Sequence, residues 1–404
     1  MIAVLLTLAN SLSAQTDTTE YHLTIEQATV NKAGKDIEGM TINGSIPGPT
    51  LRFTEGDYAV IYVENKMDVE TSVHWHGLLL PNFYDGVPYL TTPPILPSTT
   101  FKYEFPLKQA GTYWYHSHTL LQEQSGVYGS IIIEPKEETL EYDHDRVLVL
   151  SDWTNQKPMN VLRNLKRGNE WYGIKKGTSV PLSRVIGRGG FGAQLNFWRQ
   201  RMEGADIADI YYNAFLSNGE PVQHYDQFKP GEKIRLRIIN AAASSQFWVT
   251  FGGEDPLLVA ADGPRVVPVP HNKTFIAIAE TYDFILTVPD KTLEIRAMAQ
   301  DGSGTTYTYI GKGDTLKAPV MPRPDKIAMM KQMAKMEMRM GAPAMKFNPS
   351  KEKPYELKEN WGMQMEDMDS NMDMDEGMNN HNHSMNADSA KTKNDMEMKS
   401  ADSG

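Results

Sequence analysis

Two His-x-His pairs, His74-Trp75-His76-Gly77 and Trp114-Tyr115-His116-Ser117-His118, lie about 40 residues apart in the chain. Ten histidines in 404 residues would give well under one such pair by chance. Side chains alternate faces along an extended strand, so residues two apart point the same way. Each pair therefore presents two imidazoles to one side, and neutral imidazole suits copper, zinc, iron and nickel. A metal site is the leading reading, against the plainer one in which all four are ordinary strand residues of a β-sandwich. Trp75, Trp114 and Tyr115 read as packing residues that shape such a site. His22, His144, His224 and His271 are isolated and read as ordinary surface or core histidines.

The segments that must position these pairs read as all-β from residue 18 to 136. Tyr21-His22-Leu23-Thr24-Ile25 and Tyr58-Ala59-Val60-Ile61-Tyr62-Val63 are strand-like and are separated by Gly, Pro and Asn turns. Asn43-Gly44-Ser45-Ile46-Pro47-Gly48-Pro49 is a rigid turn leading into a strand near Leu51, and Ser130-Ile131-Ile132-Ile133 closes the domain. Short strands at this spacing predict a sandwich or barrel. A second β-rich region spans residues 140–320, opening at Asp145-Arg146-Val147-Leu148-Val149-Leu150. Residues 155–205 break its strand spacing and read as a partly helical insertion. Within it, Gly187-Arg188-Gly189-Gly190-Phe191-Gly192 matches a dinucleotide fingerprint by letters only, since no βαβ unit surrounds it, and it reads as a flexible loop.

A chain of this length predicts two or three domains. Forty Lys and Arg against 51 Asp and Glu give a net charge of −11, which argues against nucleic acid as a partner. Residues 1–15 hold an apolar run from Ile2 to Leu8 and end Ser-Leu-Ser-Ala before Gln15. They resemble the back of a secretory signal and predict a periplasmic or otherwise exported protein. No later apolar stretch reaches membrane-spanning length. The chain has no cysteine, so packing must supply what disulfides supply in other exported proteins.

From residue 321 to 404 the composition changes to Met, Asp, Asn and His. Arg323-Pro324-Asp325 predicts a helix start with Pro324 in the first turn, after which Met329, Met333, Met336 and Met340 share one face. Past Trp361 the sequence is acidic and of low complexity, and reads as largely disordered. Thioethers are soft donors suited to Cu(I). Met372, Met374, Met378, His381, His383 and Met385 are therefore weaker Cu(I) candidates, against a reading in which the methionines only pack and the acids only keep the segment soluble.

Taken in order, several stretches resemble the multicopper oxidases and, more closely, their bacterial copper-resistance branch. Asn43–Pro49 with Glu55-Gly56-Asp57 is similar to the family's first-domain opening. His74-Trp75-His76-Gly77 with Asp85-Gly86-Val87-Pro88 is similar to its first copper motif, and Trp114–His118 with Gln122–Gly129 to its second. Ser151-Asp152-Trp153, Arg237-Ile238-Ile239-Asn240 and Ala260-Ala261-Asp262-Gly263 resemble second-domain landmarks. The likeness covers residues 18–320, and the Met-rich segment resembles the spacer before the family's third domain.

The resemblance implies two cupredoxin (plastocyanin-like) Greek-key β-sandwich domains, with His74 a type 2 copper ligand and His76, His116 and His118 ligands of the type 3 pair. Asp85 resembles an acidic residue near the type 2 copper and is a candidate proton relay, with a plain Asp-Gly turn as the alternative. In the family a third domain supplies four further imidazoles and the type 1 copper cysteine. This chain has neither His-x-x-His-x-His nor His-Cys-His, so it implies type 2 and type 3 sites in part and no type 1 site. Two functions follow. One is the front portion of an oxidase that couples oxidation of Cu(I) or phenols, as small reductants, to reduction of dioxygen. The other is a non-catalytic periplasmic protein that binds and sequesters copper ions. A trimeric two-domain oxidase is excluded, because the second domain offers neither His-Cys-His nor a further His pair.

Overall fold

A computed structural model describes residues 17–167, 171–199, 208 and 210–335. In its first part the strands are β1 (Thr18–Val30), β2 (Ile37–Ile42), β3 (Leu51–Thr54), β4 (Tyr58–Asn65), β5 (His74–His76), β6 (Thr100–Pro106), β7 (Gly111–His116) and β8 (Tyr128–Glu134). They form two four-stranded sheets, ordered β2-β1-β4-β6 and β3-β8-β7-β5. Alternation along β3, whose Leu51 and Phe53 are buried while Arg52 and Thr54 are exposed, shows the period-2 pattern that packs one face inward. Leu23, Ile25, Ile61, Val63, Trp75, Tyr103, Tyr115 and Ile131 meet between the sheets.

The second part repeats this scheme on a larger scale. Its strands are β9 (His144–Trp153), β10 (Ala214–Ser217), β11 (Val222–Tyr225), β12 (Lys233–Asn240), β13 (Phe247–Phe251), β14 (Leu257–Ala261), β15 (Arg265–Pro270), β16 (Thr274–Ile276), β17 (Thr281–Thr287), β18 (Thr292–Ala299), β19 (Thr305–Ile310) and β20 (Thr315–Leu316). One sheet runs β10-β9-β12-β17-β14-β15 and the other β11-β19-β18-β13-β16, with β20 beside β18. In each part the opening strand lies parallel to a later one, β1 to β4 and β9 to β12, so long crossovers join the two sheets. The fold class is all-β, two Greek-key sandwiches. No helix among the described residues is long and apolar enough to cross a membrane.

Among the described residues between β9 and β10, the expected insertion contains four helices: α1 (Pro158–Arg167), α2 (Trp171–Lys176), α3 (Leu182–Gly187) and α4 (Phe191–Arg199). The Gly187–Gly192 stretch is not the flexible loop that its glycines predict. Gly187 ends α3, the Gly190 amide bonds to Val185 O at 2.8 Å, and Phe191 opens α4, so the glycines make a tight helix-to-helix turn. A further helix, α5 (Lys326–Met333), starts two residues after Pro324. Asp325 is its N-cap, accepting from the Ile327 and Ala328 amides, and Pro324 lies outside the first turn. Its buried residues are Ile327 and Met330; Met329 and Met333 are only partly buried, so the inward face is rotated from the methionine stripe read from spacing. Met336 and Met340 lie outside the described residues, as do Met372, Met374, Met378, His381, His383 and Met385.

The two sandwiches meet through an apolar cluster and a buried ionic network. Ile46, Trp114 and Tyr128 from the first pack with Val149, Trp153, Leu216, Ile239 and Ala241 from the second. Beside them the fully buried Arg237 donates to Asp145 Oδ2 (2.8 Å), Glu134 Oε2 (3.0 Å), Thr112 Oγ1 (3.0 Å) and Asp283 Oδ2 (3.3 Å). Asp283 also accepts from Arg235 at 2.7 Å and from Thr112 at 2.7 Å, so charges from both sandwiches neutralise one another out of water. Backbone contact is close as well: a Cβ on Gly263 (φ +97) would stand 2.2 Å from the Tyr113 hydroxyl. Arg237→Ala removes the buried cation shared by Asp145, Glu134 and Asp283, leaving Asp283 only Arg235 and Thr112, and is expected to cost about 3–5 kcal/mol in urea unfolding. Arg265→Ala, which removes a half-exposed pair with Glu138, is expected to cost under about 1 kcal/mol.

Candidate metal centre

β5 is only three residues long, and its pairing with β7 builds the site. The antiparallel register sets His74 opposite His116, Trp75 opposite Tyr115 and His76 opposite Trp114. Alternation sends Trp75 and Tyr115 into the first sandwich's core, where both are buried. It sends His74, His76, Trp114 and His116 to the other face. The Trp114 indole stacks on the His116 ring at 4.1 Å and on His76 at 5.1 Å. Trp114 also belongs to the cluster joining the two sandwiches, so packing against the second sandwich holds the imidazoles in place.

Ring nitrogens of His74, His76 and His116 lie within 4.8 Å of one another. The shortest approach, His76 Nδ1 to His116 Nε2, is 3.4 Å. Two nitrogens each about 2.0–2.1 Å from one tetrahedral ion stand about 3.3 Å apart, so this pair is spaced to share a cation. The remote nitrogens are held from behind. His74 Nδ1 lies 2.6 Å from the Asp85 carbonyl oxygen, and His116 Nδ1 lies 2.9 Å from Glu123 Oε2 and 3.1 Å from Ser117 O. An acceptor at Nδ1 draws the proton there and leaves Nε2 with its lone pair outward, which is the arrangement found behind metal-binding histidines.

The Asp85-Gly86 turn acts through its main chain. Gly86 has φ +88, and a Cβ there would lie 1.8 Å from Val73 O, so only glycine lets the turn press on the start of β5. That contact delivers the Asp85 carbonyl to His74. The Asp85 carboxylate is a second neighbour, with Oδ1 3.5 Å from His74 Nδ1 and Oδ2 accepting from Thr91 at 3.4 Å. Both readings of Asp85 thus meet in one residue: a turn, with a half-exposed carboxylate beside an imidazole.

His118 lies beside the three-histidine group. Its ring centroid is 5.3 Å from those of His74 and His116, as near as those rings are to each other at 5.5 Å, but it is exposed where His116 is buried. The chain leaving β7 is pinned by buried hydroxyls and an amide. Ser72 Oγ accepts from the His118 amide at 3.0 Å, and Gln122 Oε1 accepts from Ser117 at 2.9 Å and Thr71 at 2.6 Å. Glu123 is the site residue that spacing did not single out. It lies in the quoted Gln122–Gly129 stretch, but only the folded loop shows that its carboxylate turns back to His116. In the second sandwich, Asp262, Ala279, Glu280 and Thr281 share a small cleft with His76 and Trp114. Among the described residues no histidine of that sandwich reaches the cluster.

Burial keeps the cluster in its ligand form. It lowers the pKa of His76 from 6.5 to about 4, with repulsion from His116, His74 and His118 adding to it. Burial also lowers His74, opposed by the bond to Asp85, and lowers His118. The unfolded chain protonates His76 near 6.5, whereas the folded one waits until about 4. Stability present above the unfolded value is therefore lost as pH falls across that interval. The metal-free protein should melt progressively lower from about pH 6.5 to pH 4, and His76→Ala should show a shallower fall by calorimetry. An unchanged pH slope in the variant would contradict the burial argument.

Both sandwiches are similar to known proteins. Two family models described as multicopper oxidase match the chain, one over residues 24–138 and one over residues 144–310. Copper resistance protein A of Escherichia coli is 40% identical over 325 residues, covering 78% of this chain and 54% of that protein. The copper resistance protein A homolog of Pseudomonas syringae pv. tomato is 39% identical over 318 residues, covering 76% and 54%. The solved laccase of Botrytis aclada superposes with a TM-score of 0.57 at 26% identity, over 77% of this chain and 55% of that one. The chain spans about half the length of the relatives it matches. It belongs to the multicopper oxidase family, whose cofactor is copper, and to the family's bacterial copper-resistance branch.

Proposed function

We propose that His74, His76, His116 and His118 hold copper and form one wall of a dioxygen-reducing copper cluster in an exported copper-resistance oxidase. His74 serves the type 2 position and the other three serve the type 3 pair. The observation that carries this reading is the 3.4 Å approach of His76 Nδ1 to His116 Nε2, with acceptors fixed behind the His74 and His116 rings. The donor set fits the metal, since neutral imidazoles are held ready at neutral pH and imidazole is a good copper ligand. When bound, such a cluster couples one-electron oxidation of Cu(I) or phenols to four-electron reduction of dioxygen to water. The protein's own part is to fix imidazole orientation through the Asp85 carbonyl and Glu123, and to keep a carboxylate, Asp85, beside His74 for proton transfer.

The surroundings support a wall that something else completes. Leu79, Leu90 and Leu120, next in sequence to the site's turns and strands, are 67%, 80% and 91% exposed, and Phe83 and Tyr89 are exposed as well. Exposed apolar side chains in the segments that lead away from the site favour closure by further protein surface. A second reading is copper holding without turnover, for which imidazoles kept neutral by burial suffice. Export in either case is supported by the apolar start of the sequence.

Copper titration tests the ligands. His76→Ala together with His118→Ala should lower the stoichiometry of tightly bound copper, and unchanged stoichiometry would dismiss the assignment. Glu123→Gln should weaken copper binding about 10–100-fold while leaving the stoichiometry intact. Dioxygen uptake separates the two readings. Consumption by the copper-loaded chain with Cu(I) or a phenol supports turnover, whereas tight copper without uptake supports the holding role.

A further inference from the structure

We propose that the helical insertion between β9 and β10 is a peripheral membrane-docking element, seating the outer faces of α3 and α4 on an anionic lipid bilayer. Residues 158–199 contain eight Lys or Arg and a single acid, Glu170, in a chain whose net charge is −11. The remainder of the molecule is therefore more acidic than the whole, and an anionic surface attracts this element while repelling the rest. Arg163, Lys166, Lys175 and Arg184 are exposed on the helices and available to headgroups.

The apolar side chains are arranged to match. Leu182 and Ile186 are four apart on α3, while Phe191, Leu195 and Trp198 are spaced four and three apart on α4, so each helix carries one outward stripe. These residues are between 41% exposed (Phe191, Leu195) and 54% exposed (Ile186), although a soluble surface helix turns its polar face outward. The fold does not need the stripes, because a different set, Val185 and Phe197, packs with Met330 to fasten the hairpin to α5. Arg188 locks the same junction through both oxygens of Asp325, at 3.0 and 2.7 Å. Lys176 and Arg188 are paired with Asp301 and Asp325, so the exposed cations of α1, α2 and α3 and the outward Trp, Phe, Leu and Ile together give this element the composition of an interfacial membrane helix.

Cosedimentation of the full chain with vesicles tests this. Vesicles of equal parts phosphatidylglycerol and phosphatidylcholine should carry the protein down, and pure phosphatidylcholine should not. Binding should fall about tenfold or more between roughly 0.05 and 0.5 M salt. Leu195→Ser with Trp198→Ser should reduce binding at least about tenfold with unchanged melting temperature and copper stoichiometry. Arg163→Gln with Lys166→Gln and Arg184→Gln should reduce it independently through charge. Failure to bind phosphatidylglycerol vesicles, equal binding to neutral ones, or binding unaffected by both variant sets would overturn the proposal. So would light scattering that shows an oligomer which the serine variant converts to monomer, since the stripes would then join copies of the chain. Vesicle binding is read without added copper, so its failure leaves the copper assignment standing.

Discussion

Three residue pairs between β5 and β7 set the metal-facing positions of His74, His76 and His116. A slip of one residue would turn His74 and His76 into the core and bring Trp75 onto the metal face. Such a slip is prevented chiefly by the cost of burying imidazoles and exposing the Trp75 indole, because the ladder itself is too short to specify much. The large aromatic side chains between the first sandwich's sheets, Trp75, Tyr103, Phe105 and Tyr115, thus act at a distance: by filling the inside, they determine what stands outside.

That outside face is then completed by contacts from elsewhere in the chain. Trp114 touches two imidazoles on one side and the second sandwich on the other, so the interface and the metal face share a side chain. The ionic network around Arg237 and Asp283 sets the relative placement of the sandwiches with directional bonds that apolar packing alone lacks. The second sandwich therefore acts on the site through geometry, holding the first in register, while none of its histidines among the described residues joins the cluster.

Charge is distributed with equal purpose. Around the histidines, burial favours the neutral ring, and acceptors behind the rings choose which nitrogen keeps its proton. Far from that centre, cations gather on one helical insertion while the chain as a whole is acidic. The two regions use electrostatics differently, one to present lone pairs and the other to choose a surface.

The sequence by itself determined the fold class, the family and the sharing of a face by the imidazoles. These follow from local pattern: period-2 alternation, turn residues and a His-x-His spacing rare enough to carry meaning. It also showed that a helical insertion interrupts the second sandwich, though the glycines at 187–192 read as a loop because their helical turn depends on tertiary anchoring through Val185 and Met330. Only the tertiary structure decided that Glu123 stands behind His116, that Asp85 grips His74 by its carbonyl, and that His118 is the exposed member beside the other three. Each of those depends on where a loop returns after leaving its strand, and such closures are set by packing between residues far apart in the chain, which no local pattern encodes.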